Sequence, residues 1–393
     1  MSLFIIFIVI VSLSIAWPTK PFFNIVYNEV GDNLVNTGFG NSIKQGVTSF
    51  VKIFSSKGQA EVLESYSWKS TIDENSNKQD LGVKITSFRA NNDIIDITTS
   101  ERLASFKETG AIVEGYASST EQTNIEFSCL TENGIGVFAN QFNILQVSKN
   151  RKEFFTRRCI YPKNSFQIDT NKVTDSQKIK IRASYDFTTE SYIPVYFIKK
   201  DIFDALREEG SRGPVRFKYN IFEENNIQDE HLNKQDGTVS SVYTKGPVKL
   251  ELRSQYTQPL MEEDSYILGI RLYDDLSWTG NVEKINELDI LMPQEIDIIS
   301  ENFEYVTEED NFKVYKAKDS LIQELNDVCK PVKQSILKEL IDEDCWRRGN
   351  IVTSIEFSIN DAPDELSKTF IRAKVNYKFS DEKQDTITFL NTA

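Results

Sequence analysis

Apolar and polar side chains alternate along several stretches of this chain. The clearest stretch runs from Lys178 to Phe187, where every second residue is apolar and the residues between are charged or polar. Successive side chains of a β-strand point to opposite faces, so this period of two predicts a strand with one buried and one solvated face. Sheets that are solvated on one side are typically antiparallel. The pattern therefore predicts a mainly β fold made of antiparallel, sandwich-like domains.

Shorter apolar runs fill the first third of the chain. They recur about every ten residues with turn-like residues between them, a spacing that is typical of sandwiches. The runs are Val47–Phe54, Val62–Trp68, Val83–Phe88, Ile112–Tyr116, Ile125–Leu130, Ile135–Ala139 and Phe142–Val147.

Near the C-terminus, two alternating segments are separated by a polar stretch that contains Pro363. A polar stretch with proline between two such segments is typical of a turn. We expect residues 351–359 and 369–379 to form a long antiparallel pair. Thr386–Leu390 would add the third strand of an antiparallel meander.

Helical patterns are few. Asp201–Glu209 is followed by Gly210, and glycine commonly ends a helix. Asp319–Val328 begins with a residue type that caps helices, and Pro331 permits a second helix with an apolar stripe. We therefore expect short helices within residues 319–342, which form a small helical element near the C-terminus.

Two polar segments suggest boundaries between domains. Asn164–Lys178 has a weak hydrophobic pattern, and Glu301–Asp310 is acidic. They divide the chain into two β-rich domains, 17–165 and 178–300, and an α+β region, 301–393. A chain of 393 residues is long enough for two or three domains.

Residues 1–16 have the pattern of a secretory signal peptide. Leu3–Ala16 is an apolar run that is too short to span a bilayer, and Ser14 and Ala16 are the small residues expected before a cleavage site. We expect a secreted mature chain that begins at Trp17 and contains no transmembrane segment.

Four cysteines in a secreted chain favour two disulfides. Sequence order suggests the pairs Cys129–Cys159 and Cys329–Cys345. A continuous helix between Cys329 and Cys345 would hold them about 24 Å apart, beyond the reach of a disulfide. The second pair therefore requires that the chain folds back after a short helix; otherwise the connectivity is different.

Composition argues against several classes of function. The net charge of −14 opposes binding to a phosphate backbone, so we expect no nucleic-acid partner. The single histidine, His231, lies in an acidic stretch that predicts a solvated loop, and no motif for a serine hydrolase, a phosphate-binding loop or a zinc site occurs. We expect neither a metal nor another cofactor. The clusters that would suit a carboxylate-dependent hydrolase are Glu262, Glu263 and Asp264, and Asp274 and Asp275.

One segment runs against the acidic character of the chain. Residues 149–163 contain six basic side chains and one acidic side chain, with Phe154, Phe155 and Tyr161 among them. Such a segment would suit an anionic glycan, a lipid surface or an acidic protein as partner. Alternatively, it is a structural strand whose arginines face outward and whose phenylalanines, Phe154 and Phe155, anchor it from inside. The predicted ligand-binding residues are Lys149, Arg151, Lys152, Arg157, Arg158 and Lys163.

These observations favour a secreted, non-catalytic binding or structural protein of the adhesion, coat or host-interaction type over an enzyme. One alternative is a secreted carboxylate-dependent hydrolase, which needs a cleft in which Asp and Glu side chains converge. Another is a membrane-active β protein that inserts amphipathic strands such as 351–359 and 369–379.

Overall fold

The computed structural model describes residues 81–139, 143–211, 220–224, 227–262, 264–274, 278, 280–328 and 351–391. Within them the chain is mostly strand, which confirms the predicted mainly β fold. The described helices are α1 (Ser100–Ser105), α2 (Lys200–Ser211), α3 (Ile221–Glu224) and α4 (Asp319–Val328). α2 and α4 match the helices predicted to begin near Asp201 and Asp319. The predicted continuation through 329–342, the signal peptide and the two strands predicted before residue 81 lie outside the described residues.

The chain divides into two compact units. One consists of residues 1–64 and 201–221, and its described part is residues 201–211 and 220–221, which include most of α2. The other consists of residues 65–200 and 222–393 and contains all the strands described below.

The largest sheet is built on two long strands, β8 (Thr174–Ile198) and β20 (Ser367–Leu390). They pair antiparallel from Thr174 opposite Leu390 to Phe197 opposite Ser367. The order of its main path is β17–β18–β15–β20–β8–β4–β6, and three short strands add to β8 or β20 to make ten. The other strands of this large sheet are β2 (Ile94–Asp96), β4 (Thr123–Thr131), β6 (Ile144–Val147), β11 (Val242–Tyr243), β13 (Leu260–Met261), β15 (Asn281–Pro293), β17 (Phe303–Glu309) and β18 (Phe312–Ala317).

Two four-stranded antiparallel sheets accompany the large sheet. The first small sheet has the order β1–β3–β7–β5, and the second has the order β12–β14–β19–β16. A separate two-stranded ribbon consists of β9 (Leu232–Asn233) and β10 (Thr238–Val239). The strands of the small sheets are β1 (Gly82–Ala90), β3 (Glu108–Ser118), β5 (Val137–Phe138), β7 (Lys152–Pro162), β12 (Val248–Ser254), β14 (Ser265–Asp274), β16 (Ile296–Ile298) and β19 (Ile351–Ile359).

Both small sheets pack on the same face of the large sheet, which gives the predicted sandwich-like arrangement. That face carries the odd-numbered residues of β8 and β20, and its apolar members belong to one hydrophobic core. Tyr185 accepts a hydrogen bond from the Val83 N–H of the first small sheet at 3.1 Å. Farther along, Thr189 and Tyr377 bond to the backbone of Val248 in the second small sheet. β8 and β20 therefore run under both small sheets, and the large sheet contains strands from each of the predicted segments 17–165, 178–300 and 301–393.

The predicted C-terminal meander is wrong. β19, which was expected to pair with 369–379, instead lies between β14 and β16 in the second small sheet. The two remaining segments are one continuous strand, β20. The structure therefore places the two halves of the predicted pair in different sheets.

A polar run inside β20 explains why the sequence suggested an interruption there. Asp381 and Asp385 accept hydrogen bonds from the N–H groups of Ile85 and Ala90, and Lys383 donates to the Thr86 carbonyl oxygen. These side chains satisfy the backbone of β1, which is an edge strand of the first small sheet. Polar residues that resemble a turn thus serve as partners for a neighbouring edge.

Asp297 links the second small sheet to the large one. Its carboxylate accepts hydrogen bonds from Lys313 and, at 3.0 Å, from the Tyr315 hydroxyl, both on β18. Burial raises the pKa of this carboxyl, but the hydrogen bonds from Lys313 and Tyr315 outweigh burial and hold it below its usual value. A lowered pKa in the folded state means that the ionised carboxylate stabilises the fold.

We expect the Asp297 contribution to be present at neutral pH and to be lost as the pH falls through the lowered pKa of the folded state. Asp297→Asn should lower the thermal midpoint at pH 7 and change it less at acid pH. Thermal unfolding of both proteins between neutral and acid pH measures this difference. A constant difference across that range would contradict the assignment.

Candidate functional site

The basic segment 149–163 consists of β7 and the few residues on either side of it. A strand of this length spans about 36 Å, since each residue adds about 3.3 Å. The six basic residues are therefore spread along the sheet and do not converge on a single point. Alternation along β7 also divides them between two faces of the first small sheet.

The outer face of β7 carries Lys152, Phe154 and Arg158. Lys152 and Arg158 are exposed, and the Phe154 side chain is 76% exposed. The Lys152 Nζ lies 3.6 Å from the centre of the Tyr116 ring and 5.5 Å from that of Phe154. An ammonium group at these distances from two rings makes cation–π contacts.

Neighbouring strands extend this outer face. The register places Lys84 of β1 beside Tyr116 of β3, and Tyr116 beside Phe154 of β7. A second row contains Arg89, the exposed Ile112, and Arg158. Between the two rows lies one acidic residue, Glu114, opposite Thr156. We call Lys84, Arg89, Ile112, Tyr116, Lys152, Phe154 and Arg158 the basic aromatic face.

The inner face of β7 holds different parts of the predicted segment. Phe155 is buried and packs on Phe127 with ring centres 4.9 Å apart. Arg157 is half-buried and lies in the same alternating row as Phe155 and Cys159. The prediction that both phenylalanines anchor the segment from inside is correct for Phe155 and wrong for Phe154, since adjacent residues of a strand face opposite ways.

The remaining basic residues lie at the two ends of β7. Lys149 and Arg151 are exposed in the turn before it, where Asn150 adopts a positive φ of 57°. The Lys163 Nζ donates a hydrogen bond to the Leu103 carbonyl oxygen at 2.6 Å. Lys163 thus links the C-terminal end of the segment to α1. Lys149 and Arg151 extend the positive charge beyond the basic aromatic face.

The predicted Cys129–Cys159 disulfide is present and joins β4 of the large sheet to β7, with the two Cα atoms 5.9 Å apart. It fixes the strand that carries the basic aromatic face against the core. Cys329 and Cys345 lie outside the described residues, so their pairing stays a prediction.

The two clusters of candidate carboxylates belong to the two ends of one strand. Glu262 and Asp264 lie just before β14, and Asp274 is its last residue. The two ends of such a strand are about 30 Å apart, whereas glycoside hydrolysis needs carboxyl groups about 5–10 Å apart. Glu263 and Asp275 lie outside the described residues. Among the described residues, no group of His, Cys, Asp and Glu could hold a metal ion.

An open cavity of 540 Å³ lies at the end of β7, beside α1. Its lining includes two lysines and no carboxylate. The lining residues are Leu103, Lys107, Pro162, Lys163, Asn164, Phe166, Ile168 and Thr170.

Comparison with known proteins does not identify this chain. No family model matches it, and no curated protein matches it. Among solved structures, a mutant of Salmonella alpha-2-macroglobulin is 8% identical, with a TM-score of 0.13, and the match covers 80% of this chain and 17% of the other. This likeness is too low to carry an argument about fold or function.

The described residues contain no helix that is long and apolar enough to cross a membrane.

The residues that the sequence did not indicate as part of the site are Lys84, Arg89, Ile112 and Tyr116. They lie far from β7 in the chain and reach it only through strand pairing. The alternation of Lys84 with buried Val83 and Ile85 was the available signal for an outward lysine.

Proposed function

We propose that this protein is a secreted, non-catalytic binding protein that holds an anionic glycan on its basic aromatic face. The observation that supports this most directly is the contact of the Lys152 Nζ with the rings of Tyr116 and the largely exposed Phe154. An exposed aromatic ring is a favourable surface for the apolar face of a sugar, and the neighbouring cations suit its acidic groups.

The shape of the face favours an extended ligand. Lys152 and Arg158 lie on one strand about 20 Å apart, at about 3.3 Å per residue. Phe154 lies between them, on the same face. A linear polymer laid along β7 would meet a cation, a ring and a second cation in turn.

The overall charge sets the range of the interaction. A chain with net charge −14 repels anionic polymers at long range. At physiological salt, charges are screened beyond about 8 Å, so the local cations act only near contact. Binding should therefore weaken as salt is added but should not depend on long-range steering.

We expect Lys152→Ser combined with Arg158→Ser to weaken binding to heparin by about tenfold or more, which corresponds to roughly 1.4 kcal/mol. Phe154→Ser should also weaken binding and leave the thermal midpoint unchanged, because this ring is exposed. Titration calorimetry with heparin, followed by thermal unfolding of each variant, measures both effects.

Arg253→Ser combined with Lys284→Ser is the matched control, because it removes two exposed cations from other strands and leaves the same net charge. The control should bind heparin like the wild type. Equal loss in both double variants, or no heparin binding by the wild type, would contradict the proposal. Binding to vesicles of anionic phospholipid without binding to heparin would assign the face to lipid instead.

A further inference from the structure

Lys368 and Asp229 form a buried pair far from the basic aromatic face. Lys368 is the second residue of β20, opposite Tyr196 of β8, and Asp229 follows α3 in the chain. The Lys368 Nζ lies 2.7 Å from Oδ2 of Asp229, and the two side chains are only 9% and 4% exposed. Burying both charges is costly, so a pair in this position calls for an explanation.

Aromatic rings surround the pair. The Lys368 Nζ lies 5.0 Å from the centre of the Phe370 ring and 5.7 Å from that of Tyr196. Phe222 packs edge-on against Tyr196 with ring centres 5.3 Å apart. These rings keep the local surroundings apolar.

The two oxygens of Asp229 have different hydrogen-bond donors. The Tyr196 hydroxyl donates to Oδ2 at 2.5 Å, and the backbone N–H of His231 donates to Oδ1 at 2.9 Å. His231 itself lies in a turn, where it is half-buried and its ring packs on Tyr192. Burial raises the pKa of the Asp229 carboxyl, but the hydrogen bonds from Lys368 and Tyr196 lower it more, so the ionised form of this carboxyl is favoured.

We propose that Lys368 and Asp229 condense to an amide, which forms a covalent cross-link between the segment after α3 and the C-terminal strand β20. The Nζ of Lys368 bonds to Cγ of Asp229, and the bond from Cγ to Oδ2 breaks. Oδ2 leaves as water with two of the three ammonium protons. The positive and negative charges cancel, and the step needs no oxidant, reductant or cofactor.

The surrounding groups suit this reaction. Transfer of one proton within the pair yields the neutral amine and the neutral acid that react, and burial makes this transfer less costly than it is in water. The His231 N–H stabilises the charge that develops on Oδ1 during attack. The Tyr196 hydroxyl already bonds to the leaving oxygen, so it is placed to assist proton transfer to it.

Mass spectrometry of the full purified chain tests the proposal. After the disulfides are reduced and the N-terminus is sequenced, the intact mass should be one water below the mass calculated from the sequence. Proteolysis should yield a branched peptide that contains both Asp229 and Lys368. The calculated mass with these residues in separate peptides, or a cross-link between other residues, would overturn the proposal.

Two variants distinguish the reaction from a mass change of other origin. Lys368→Arg keeps the charge and the hydrogen bonding but should show the full calculated mass. Tyr196→Phe keeps the ring and removes the hydroxyl, so it should leave a larger fraction of the chain without the cross-link. A missing water that persists in Lys368→Arg would exclude this lysine.

Discussion

Breaking the Cys129–Cys159 disulfide is expected to lower the free energy of unfolding by about 3–4 kcal/mol. The two cysteines are 30 residues apart in the chain, and a closed loop of that length restricts the unfolded state by this amount in the chain-entropy account. Both side chains are almost fully buried, so alanine is a better replacement than serine, which would bury a hydroxyl.

Three variants separate the bond from the packing of its two side chains. Cys129→Ala, Cys159→Ala and the double variant should lose nearly equal stability, because either single change already breaks the bond. Urea unfolding measures the three free energies. Losses that add up between the single variants would mean that each cysteine contributes only through its own packing.

Local patterns predicted those strands and helices that can be recognised without knowing which strand pairs with which. The alternation in 178–187 matches the buried odd residues of β8, and the capping pattern at Asp319 matches α4. Both signals arise within a few residues, where side-chain direction follows directly from backbone geometry. For the basic segment 149–163, a strand was only one of the two interpretations, and the structure shows that strand as β7.

Strand pairing could not be predicted in this way. β19 has the same alternation as β20, and that pattern does not show which strand lies beside which. The partners of β19 are β14, which ends 77 residues before β19 begins, and β16. Closing such distant contacts depends on the whole set of sheets and not on the local pattern.

Because strand pairing could not be predicted, the candidate site was predicted only in part. Lys152 and Arg158 were identified from composition, and both lie on the basic aromatic face. Tyr116, which holds Lys152 by its ring, comes from β3 and was not identified. The Lys368–Asp229 pair gave no signal, since an isolated lysine and aspartate are common in an acidic chain.

Side chains of the large sheet cover the outer edge of β1. Backbone N–H groups of Val83, Ile85 and Ala90 point away from β3 and bond to Tyr185, Asp381 and Asp385 of the large sheet. Asp381 is 2% exposed, and so is Ile85. Side chains of β8 and β20 therefore provide the hydrogen bonds that a neighbouring strand would otherwise provide. They protect an edge that could pair with another chain.

We expect Asp381→Ala to lower the free energy of unfolding by about 1–3 kcal/mol, because the buried Ile85 N–H loses its acceptor. Glu382→Ala is the matched control on the adjacent residue. Glu382 lies on the opposite face of β20 in a partly exposed ion pair with Arg182, which is worth about 1 kcal/mol or less. Urea unfolding compares the two, and amide hydrogen exchange should become faster at Ile85 only in Asp381→Ala. Equal losses, or unchanged exchange at Ile85, would show that the carboxylate does not protect this edge.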